Sequence, residues 1–272
     1  MESLGGNMKT EIDIEFIRHM ILNSLRSLRL KFHDEEMIIA CDSRHYWRKD
    51  FFPFYKANRK KDREKSPLDW NKIHECFKEF KDELRKYFPY RILEVEGAEA
   101  DDIIGVLAIE YGSELNIGEQ IIIASEDKDF AQLHRFGNVR QYGPVFKKDW
   151  IVVEDPELFL KEQIIKGDRG DGIPNILSPA NTLVIGVRQK SVMSAKLKDW
   201  VTKEAIDFCD PTMLQRYLTN QKLIDLTFIP EDIKVKILDA YNEQENKKSG
   251  NLFEYFRQTG LKSHLMNIQD FR

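Results

Sequence analysis

Residues 120–129 read QIIIASEDKD. Gln120–Ala124 is a short apolar run with the length and β-branched content of a buried strand. It stops at Ser125, and among the acids that follow, Asp127 and Asp129 lie two residues apart. Residues two apart in an extended segment point the same way, so both carboxylates are aimed to one side of the strand end. In an α/β sheet, ligand sites form outside the carboxyl ends of the strands. The same punctuation recurs along the chain. Asp42 closes MIIAC (37–41), Glu99, Asp101 and Asp102 follow RILEV (91–95), and Asp168 and Asp171 follow KEQIIKG (161–167). Three of these clusters follow strand-like runs and the fourth follows a helical one. Carboxylates gathered on one edge repel each other at neutral pH unless divalent cations hold them. The pattern is that of a centre for two metal ions and phosphodiester chemistry.

Around this frame the apolar spacing alternates between strand and helix. Ile14, Ile17, Ile21, Leu25, Leu28 and Phe32 recur at helical spacing, which predicts a helix over 14–32. Ser66-Pro67 opens a second helix with Trp70, Ile73, Phe77, Phe80, Leu84 and Tyr87 on one face. Strands are expected at 37–41, 92–95, 120–124, 139–142 and 150–153, with helices at 99–111, 129–134 and 156–166. This order predicts an α/β fold, a mostly parallel sheet flanked by helices. After residue 167 only helices are expected, at 191–205, 212–219 and 231–241. The expected domains are therefore an α/β core over 1–166, with a basic segment at 44–65, and a helical subdomain over 167–272.

A chain of 272 residues with 42% apolar content and 17 Phe has ample core material, which excludes global disorder. No apolar run reaches the 18 or so residues of a membrane span, and no signal peptide opens the chain. Three cysteines without metal-ligand spacing point to a reducing, cytoplasmic compartment. The net charge of −4 argues against an indiscriminate nucleic-acid binder. Its distribution argues for a directed one. Between Arg44 and Lys65 nine Lys/Arg face three acids, and Tyr46, Trp47, Phe51, Phe52, Phe54 and Tyr55 are interleaved with them. A cationic strip beside an acidic centre suits a nuclease. Its bland reading is a solvated helix face, and the rings either stack on bases or anchor the segment.

Each acidic pair also has a bland reading. Glu99 and Asp101 sit where acids complement a helix dipole. Asp127 and Asp129 fit a turn after a strand. Asp168 and Asp171 fit a turn with a cap. Three such pairs near one edge by accident are less probable than one shared site.

The strings AEADD (98–102), SEDKDFAQL (125–133) and IIKGDRGDGIP (164–174), in this order, resemble the 5′-nuclease superfamily of flap endonucleases and bacterial polymerase 5′-nuclease domains. RHMILNS (18–24), YWRKDFFPFYKANRKK (46–61) and EYFRQTGL (254–261) extend the resemblance toward its T-even bacteriophage branch, ribonucleases H that are also 5′→3′ exonucleases. It runs over nearly the whole chain from Ile14. The resemblance implies a PIN-like core and a nuclease that uses two Mg2+ ions, with Mn2+ as a substitute, to remove RNA primers and adjoining DNA. It implies that Asp42, Glu99, Asp101 and Asp127 surround one ion and that Asp129, Asp168 and Asp171 surround the other. Asp102 is a helix cap. Segment 44–65 corresponds to the arch over the 5′ strand. There Lys56, Arg59 and Arg48 would contact the scissile or neighbouring phosphates, flanked by Lys49, Lys60 and Lys61, with Tyr46 and Tyr55 as stacking rings or core anchors. Arg188 and Lys190 are duplex-phosphate candidates. The implied substrates are DNA and RNA–DNA hybrids with 5′ ends or flaps. The implied setting is a monomer encoded by a phage and acting in the host cytoplasm. The C-terminal tail is either a packed helix or a dock for a single-strand-binding protein or sliding clamp.

Two departures qualify this. The family opens with a buried strand ending in a metal-site Asp, whereas MESLGGNMKTE precedes the first helix here. One strand and one carboxylate are expected to be absent, as in an N-terminally truncated chain. After Asp171, GIPNILSPANTLVIGVRQKS lacks the tight glycine pattern of a potassium-binding hairpin, and no potassium site is assigned. The rival readings are a non-cutting remnant that binds branched DNA, and a metal-assisted phosphatase for which segment 44–65 would be superfluous.

Overall fold

The computed structural model describes residues 13–33, 35–112, 120–146, 148–245 and 247–272, without the side chains at 60, 61, 62 and 64. Residues 1–11, the place of the family's opening strand, lie outside the described residues. The elements in chain order are α1 (Ile14–Lys31), β1 (Ile38–Cys41), α2 (Trp47–Phe51), α3 (Asn58–Lys65), α4 (Trp70–Tyr87), β2 (Arg91–Glu94), α5 (Ala100–Tyr111) and β3 (Ile121–Ala124). A 3-10 helix over Lys128–Arg135 leads to β4 (Val139–Gly143), β5 (Asp149–Ile151) and α6 (Pro156–Lys166). Then come α7 (Ser194–Trp200), α8 (Ala205–Phe208), α9 (Pro211–Ile224), α10 (Glu231–Asn242), α11 (Leu252–Gln258) and α12 (Lys262–Leu265). No helix among the described residues is long and apolar enough to cross a membrane.

The described residues divide into two compact units, one drawn from within 1–39, 59–93 and 241–272, the other from within 40–58 and 94–240. In the first, Asp13 caps α1 by accepting from Phe16 N, and Asp69 caps α4. Arg18 grips Glu83 with two hydrogen bonds, and the Tyr255 hydroxyl donates to the same carboxylate across 2.8 Å. Phe88 stacks edge-on against Tyr255, Phe256 and Phe271. The C-terminal tail is thus packed: Tyr255, Phe256, His264 and Phe271 are all buried. The buried stripe of α4 runs through Cys76, Phe80 and Leu84 and leaves Phe77 exposed, one position round from the expected face.

In the second unit β3 pairs with β4 in parallel, Ile121 opposite Val139. β5 returns antiparallel, because the few residues after Gly143 are too short for a crossover. The expected fold class holds: a helix-rich protein with two small sheets, β1-β2 and β3-β4-β5, that include the parallel β3–β4 pair, and a helical C-terminal portion. Gly105 of α5 lies so close to Leu226 that a Cβ would meet its side chain at 3.0 Å. α6 and α9 are joined by buried Asn220, whose amide donates to the Ile164 and Pro174 carbonyls. Around them Phe52, Leu160, Ile165, Ile173, Trp200 and Tyr217 form the core. The helix expected at 191–205 is two, α7 and α8, divided where the Thr202 hydroxyl turns back to the Asp199 carbonyl. The one expected at 212–219 continues to Ile224 because Leu223 and Ile224 are drawn into the core.

Candidate active site

Every expected metal carboxylate lies in the second unit. Asp42 follows β1 and accepts from the Ala100 N–H, tying that strand end to the first turn of α5. Glu99 is the residue before α5, and Asp102 accepts from the Glu99 N–H across 2.9 Å, the capping role expected of it. Asp127 caps the 3-10 helix by accepting from Asp129 N. Asp168 folds the turn after α6: its Oδ1 accepts from Gly170 N and Asp171 N. That turn depends on Gly167, where φ is +68° and a Cβ would meet the Ile173 carbonyl at 2.4 Å.

These elements gather Asp101, Asp129, Asp168 and Asp171 around one small cavity, with Arg48, Tyr55 and the apolar Ile173, Leu223, Ile224 and Leu226. Asp42 and Asp127 are exposed and do not line it. Among the described residues, no three carboxylates, imidazoles or thiols are already set at ligating distance around one point. The chain's own cations stand among them instead.

Lys56 Nζ lies 2.5 Å from Glu99 Oε1 and 3.6 Å from Asp171 Oδ2. Its backbone is in the left-handed region, φ +53°, which costs a β-carbon-bearing residue strain, and its N–H donates to the Asp171 carbonyl. Such strain at a polar centre is held by its surroundings. Here the neighbour is Gly172, which approaches the Phe54 carbonyl too closely to carry a Cβ.

Arg48, expected on phosphate, faces inward. It is 3% exposed and donates to Glu99 Oε2, Asp102 Oδ1 and the Leu223 carbonyl. Burial opposes its charge, but Asp102, then Tyr55 and Glu99, outweigh burial and raise its pKa. A guanidinium spent on two buried carboxylates is left with a positioning role. Tyr55 is also buried, its hydroxyl lying 3.0 Å from Glu99 Oε2 and 2.9 Å from Asp171 Oδ2. Burial, then Asp171, pushes its pKa up, so it stays a neutral donor. Its ring is an anchor rather than a stacking surface. Tyr46 is partly exposed, with Lys49 Nζ over its ring.

The electrostatics divide the carboxylates. Burial pushes Asp101 up to about 7, with Asp127, Glu99 and Asp129 adding to the rise against Lys56. Burial pushes Asp129 up to about 6, helped by Asp127 and opposed by the Gln163 hydrogen bond. Asp168 is held below the usual range: burial raises it, but the bond from Lys128 and the turn's N–H groups prevail.

Lys49, Arg59, Arg188 and Lys190 are exposed. The Lys60 and Lys61 side chains lie outside those described. Sequence reasoning missed Gln163, which donates to Asp129 Oδ1 at 2.8 Å, Trp47, whose indole donates to Asp102, and Lys128, which reaches Asp168. Gln163 left one signal, a polar residue among the buried positions of α6. Lys128 had another, its place between two acids.

Residues 7–162 match the family model described as the 5′-3′ exonuclease N-terminal resolvase-like domain, and residues 154–271 match the T4 RNase H C-terminal model. The chain is 32% identical to ribonuclease H of Enterobacteria phage T4 over 97% of its own length and 89% of that protein. It is 29% identical to the flap endonuclease Xni of Shewanella piezotolerans over 61% of its length and 63% of that protein. Among solved structures, the T5 D15 protein co-crystallised with metal ions superposes with a TM-score of 0.58 at 16% identity, covering 86% of this chain and 96% of that one. The T5 D15 flap endonuclease in a complex with DNA and metal ions also scores 0.58 at 16% identity, covering 84% and 91%. At that identity the likeness concerns the fold.

Proposed function

Because the chain belongs to the 5′-3′ exonuclease family, we propose that it is a divalent-cation-dependent 5′→3′ nuclease. Its substrates are 5′-flap DNA and RNA–DNA hybrids, and its task is removal of RNA primers from lagging-strand fragments. The observation that carries this reading is the gathering of Asp101, Asp129, Asp168 and Asp171 at one cavity, with Glu99 joined to Asp171 through Tyr55 and Lys56.

The donor chemistry fits the group. Carboxylate oxygens are hard ligands suited to Mg2+, and a cluster whose members are pushed up by burial, and further by their neighbours' charge, gains from a cation between them. Asp42, Glu99, Asp101 and Asp127 would hold one ion, and Asp129, Asp168 and Asp171 the other. Bound there, the ions would supply the charge that activates water and neutralises the leaving oxygen.

The chain's residues do the rest. Arg48 and Tyr55 fix the Glu99 carboxylate. Lys56, held among Glu99 and Asp171 by its own backbone, offers an ammonium to an oxygen of the scissile phosphate, where charge develops in the transition state. Lys49, Arg59, Arg188 and Lys190 contact backbone phosphates without reading sequence. No side-chain nucleophile is needed.

The test is a labelled 5′-flap duplex incubated with the protein and Mg2+, with chelator, Asp129→Asn and Asp171→Asn as parallel arms. Cleavage that disappears in all three supports the reading. Tight, salt-dependent binding of the flap without cleavage overturns it in favour of a remnant that recognises branched DNA.

A further inference from the structure

Among the described residues of the second unit, the cations Arg48, Lys56 and Lys128 touch the carboxylate cluster, and they differ in exposure. Arg48 and Lys56 have side chains only 3% and 9% exposed, whereas the Lys128 side chain is 56% exposed. Lys128 follows Asp127 and precedes Asp129, yet its Nζ crosses to Asp168 Oδ2 at 2.5 Å. It therefore sits between the two acidic pairs. The turn that carries Asp168 does not need it, since Oδ1 already accepts from Gly170 N and Asp171 N, and the Asp168 carbonyl from Ile173 N. An ion pair whose ammonium stands mostly in solvent adds little to stability, even with the Asp168 side chain only 14% exposed, so the consequence of this one is electrostatic.

We infer that Lys128 is an exchangeable internal counterion that sets, by its charge, how tightly the carboxylate centre takes up a divalent cation. The inference rests on the cation-dependent reading above. The ammonium occupies an oxygen of one expected ligand, Asp168, and lies beside two others in sequence. A cation entering the cluster must displace it or bear its repulsion. Removing one positive charge at ~6 Å from a divalent ion, in a water-like dielectric, changes affinity by about tenfold. Being solvent-exposed, Lys128 can leave Asp168 for a phosphate oxygen of an incoming strand at little cost. Nucleic acid and cation would then favour each other's binding through this residue.

The experiment is Mn2+ binding to the full chain without nucleic acid, followed by loss of the free-ion electron paramagnetic resonance signal. Wild type, Lys128→Gln, Lys128→Arg and Asp129→Asn are compared. Lys128→Gln is expected to bind about tenfold more tightly, Lys128→Arg like wild type, and Asp129→Asn weakly. Unchanged or weaker binding by Lys128→Gln overturns the inference, as does Lys128→Arg binding as tightly as Lys128→Gln. If wild type binds no Mn2+, or Asp129→Asn binds as wild type does, the carboxylate-centre reading fails with it. A repeat with a 5′-phosphorylated single-stranded oligonucleotide should tighten binding in wild type more than in Lys128→Gln. Equal tightening in both would remove the exchange onto phosphate.

Discussion

Arg48 Nη1 donates to Asp102 Oδ1 across 2.6 Å with the two side chains 3% and 0% exposed. Asp102 also accepts from the Trp47 indole and the Glu99 N–H, so one buried acid orients a cation, an aromatic ring and the start of α5. Removing one member leaves the other charge buried without its partner. Arg48→Met should therefore cost about 3–5 kcal/mol. Urea denaturation measures this, and a loss under ~1 kcal/mol would show that the pair is dispensable.

The raised carboxylates give the second unit a pH dependence of definite sign. Asp101 at about 7 and Asp129 at about 6 both bind a proton more tightly folded than unfolded. Their contribution is complete below the ordinary carboxylate value and is lost as pH rises through 6 to 7. In chelator the melting temperature should fall between pH 5 and 7.5, and Asp101→Asn should flatten that fall. A melting temperature that rises over this interval, in chelator and at constant salt, contradicts the assignment.

His264 predicts the opposite slope in the first unit. Burial, then His19 and Arg26, lowers it to about 4, and its Nε2 lies 3.0 Å from His19 Nδ1. Depressed below its unfolded value, it contributes stability above about pH 6.5, which is lost as pH falls through 4. The imidazole resonances of His264 should stay unshifted until about pH 4 in an NMR titration. A midpoint near 6.5 would mean that the ring is solvated.

Gly172 has φ +77°, and a Cβ there would come within 2.7 Å of the Phe54 carbonyl. Gly172→Ala should push the 168–171 turn away from residues 54–56, breaking the Lys56 N–H bond to Asp171. The expected cost is at least ~1 kcal/mol from backbone strain alone. Mn2+ affinity should drop with it, because Asp171 moves. If the variant keeps both stability and affinity, the contact is not what holds the turn.

Much of the fold was legible because local periodicity reports burial. The termini of α6 are those read from the sequence, Pro at the start and Gly167 just past the end. α1 ends one residue short of the expectation, and β3 falls within its expected run. Segment 44–65 is expected from its composition to be helical or mobile, and it contains two short helices joined by a strained turn at Lys56. The α7–α8 division was hidden because a side-chain bond to a backbone carbonyl leaves no mark on hydrophobic spacing.

For the site, spacing alone placed carboxylates at the ends of strands and of one helix, because strand length and the two-residue alternation are properties of neighbouring residues. Which of them share a cavity, and which basic residue serves which acid, depended on contacts between residues far apart in sequence. Arg48 and Lys49 are adjacent in the chain, yet one is buried against Glu99 and Asp102 while the other is exposed over Tyr46. Local spacing and composition settle the alternating elements, the acidic punctuation and the cationic segment. That Arg48 and Tyr55 turn inward against Glu99, and that Lys128 stands in solvent on Asp168, follows from contacts made by the folded chain. The reason is that a charge is retained in the interior only where compensating partners meet it, and those partners are brought together by the fold.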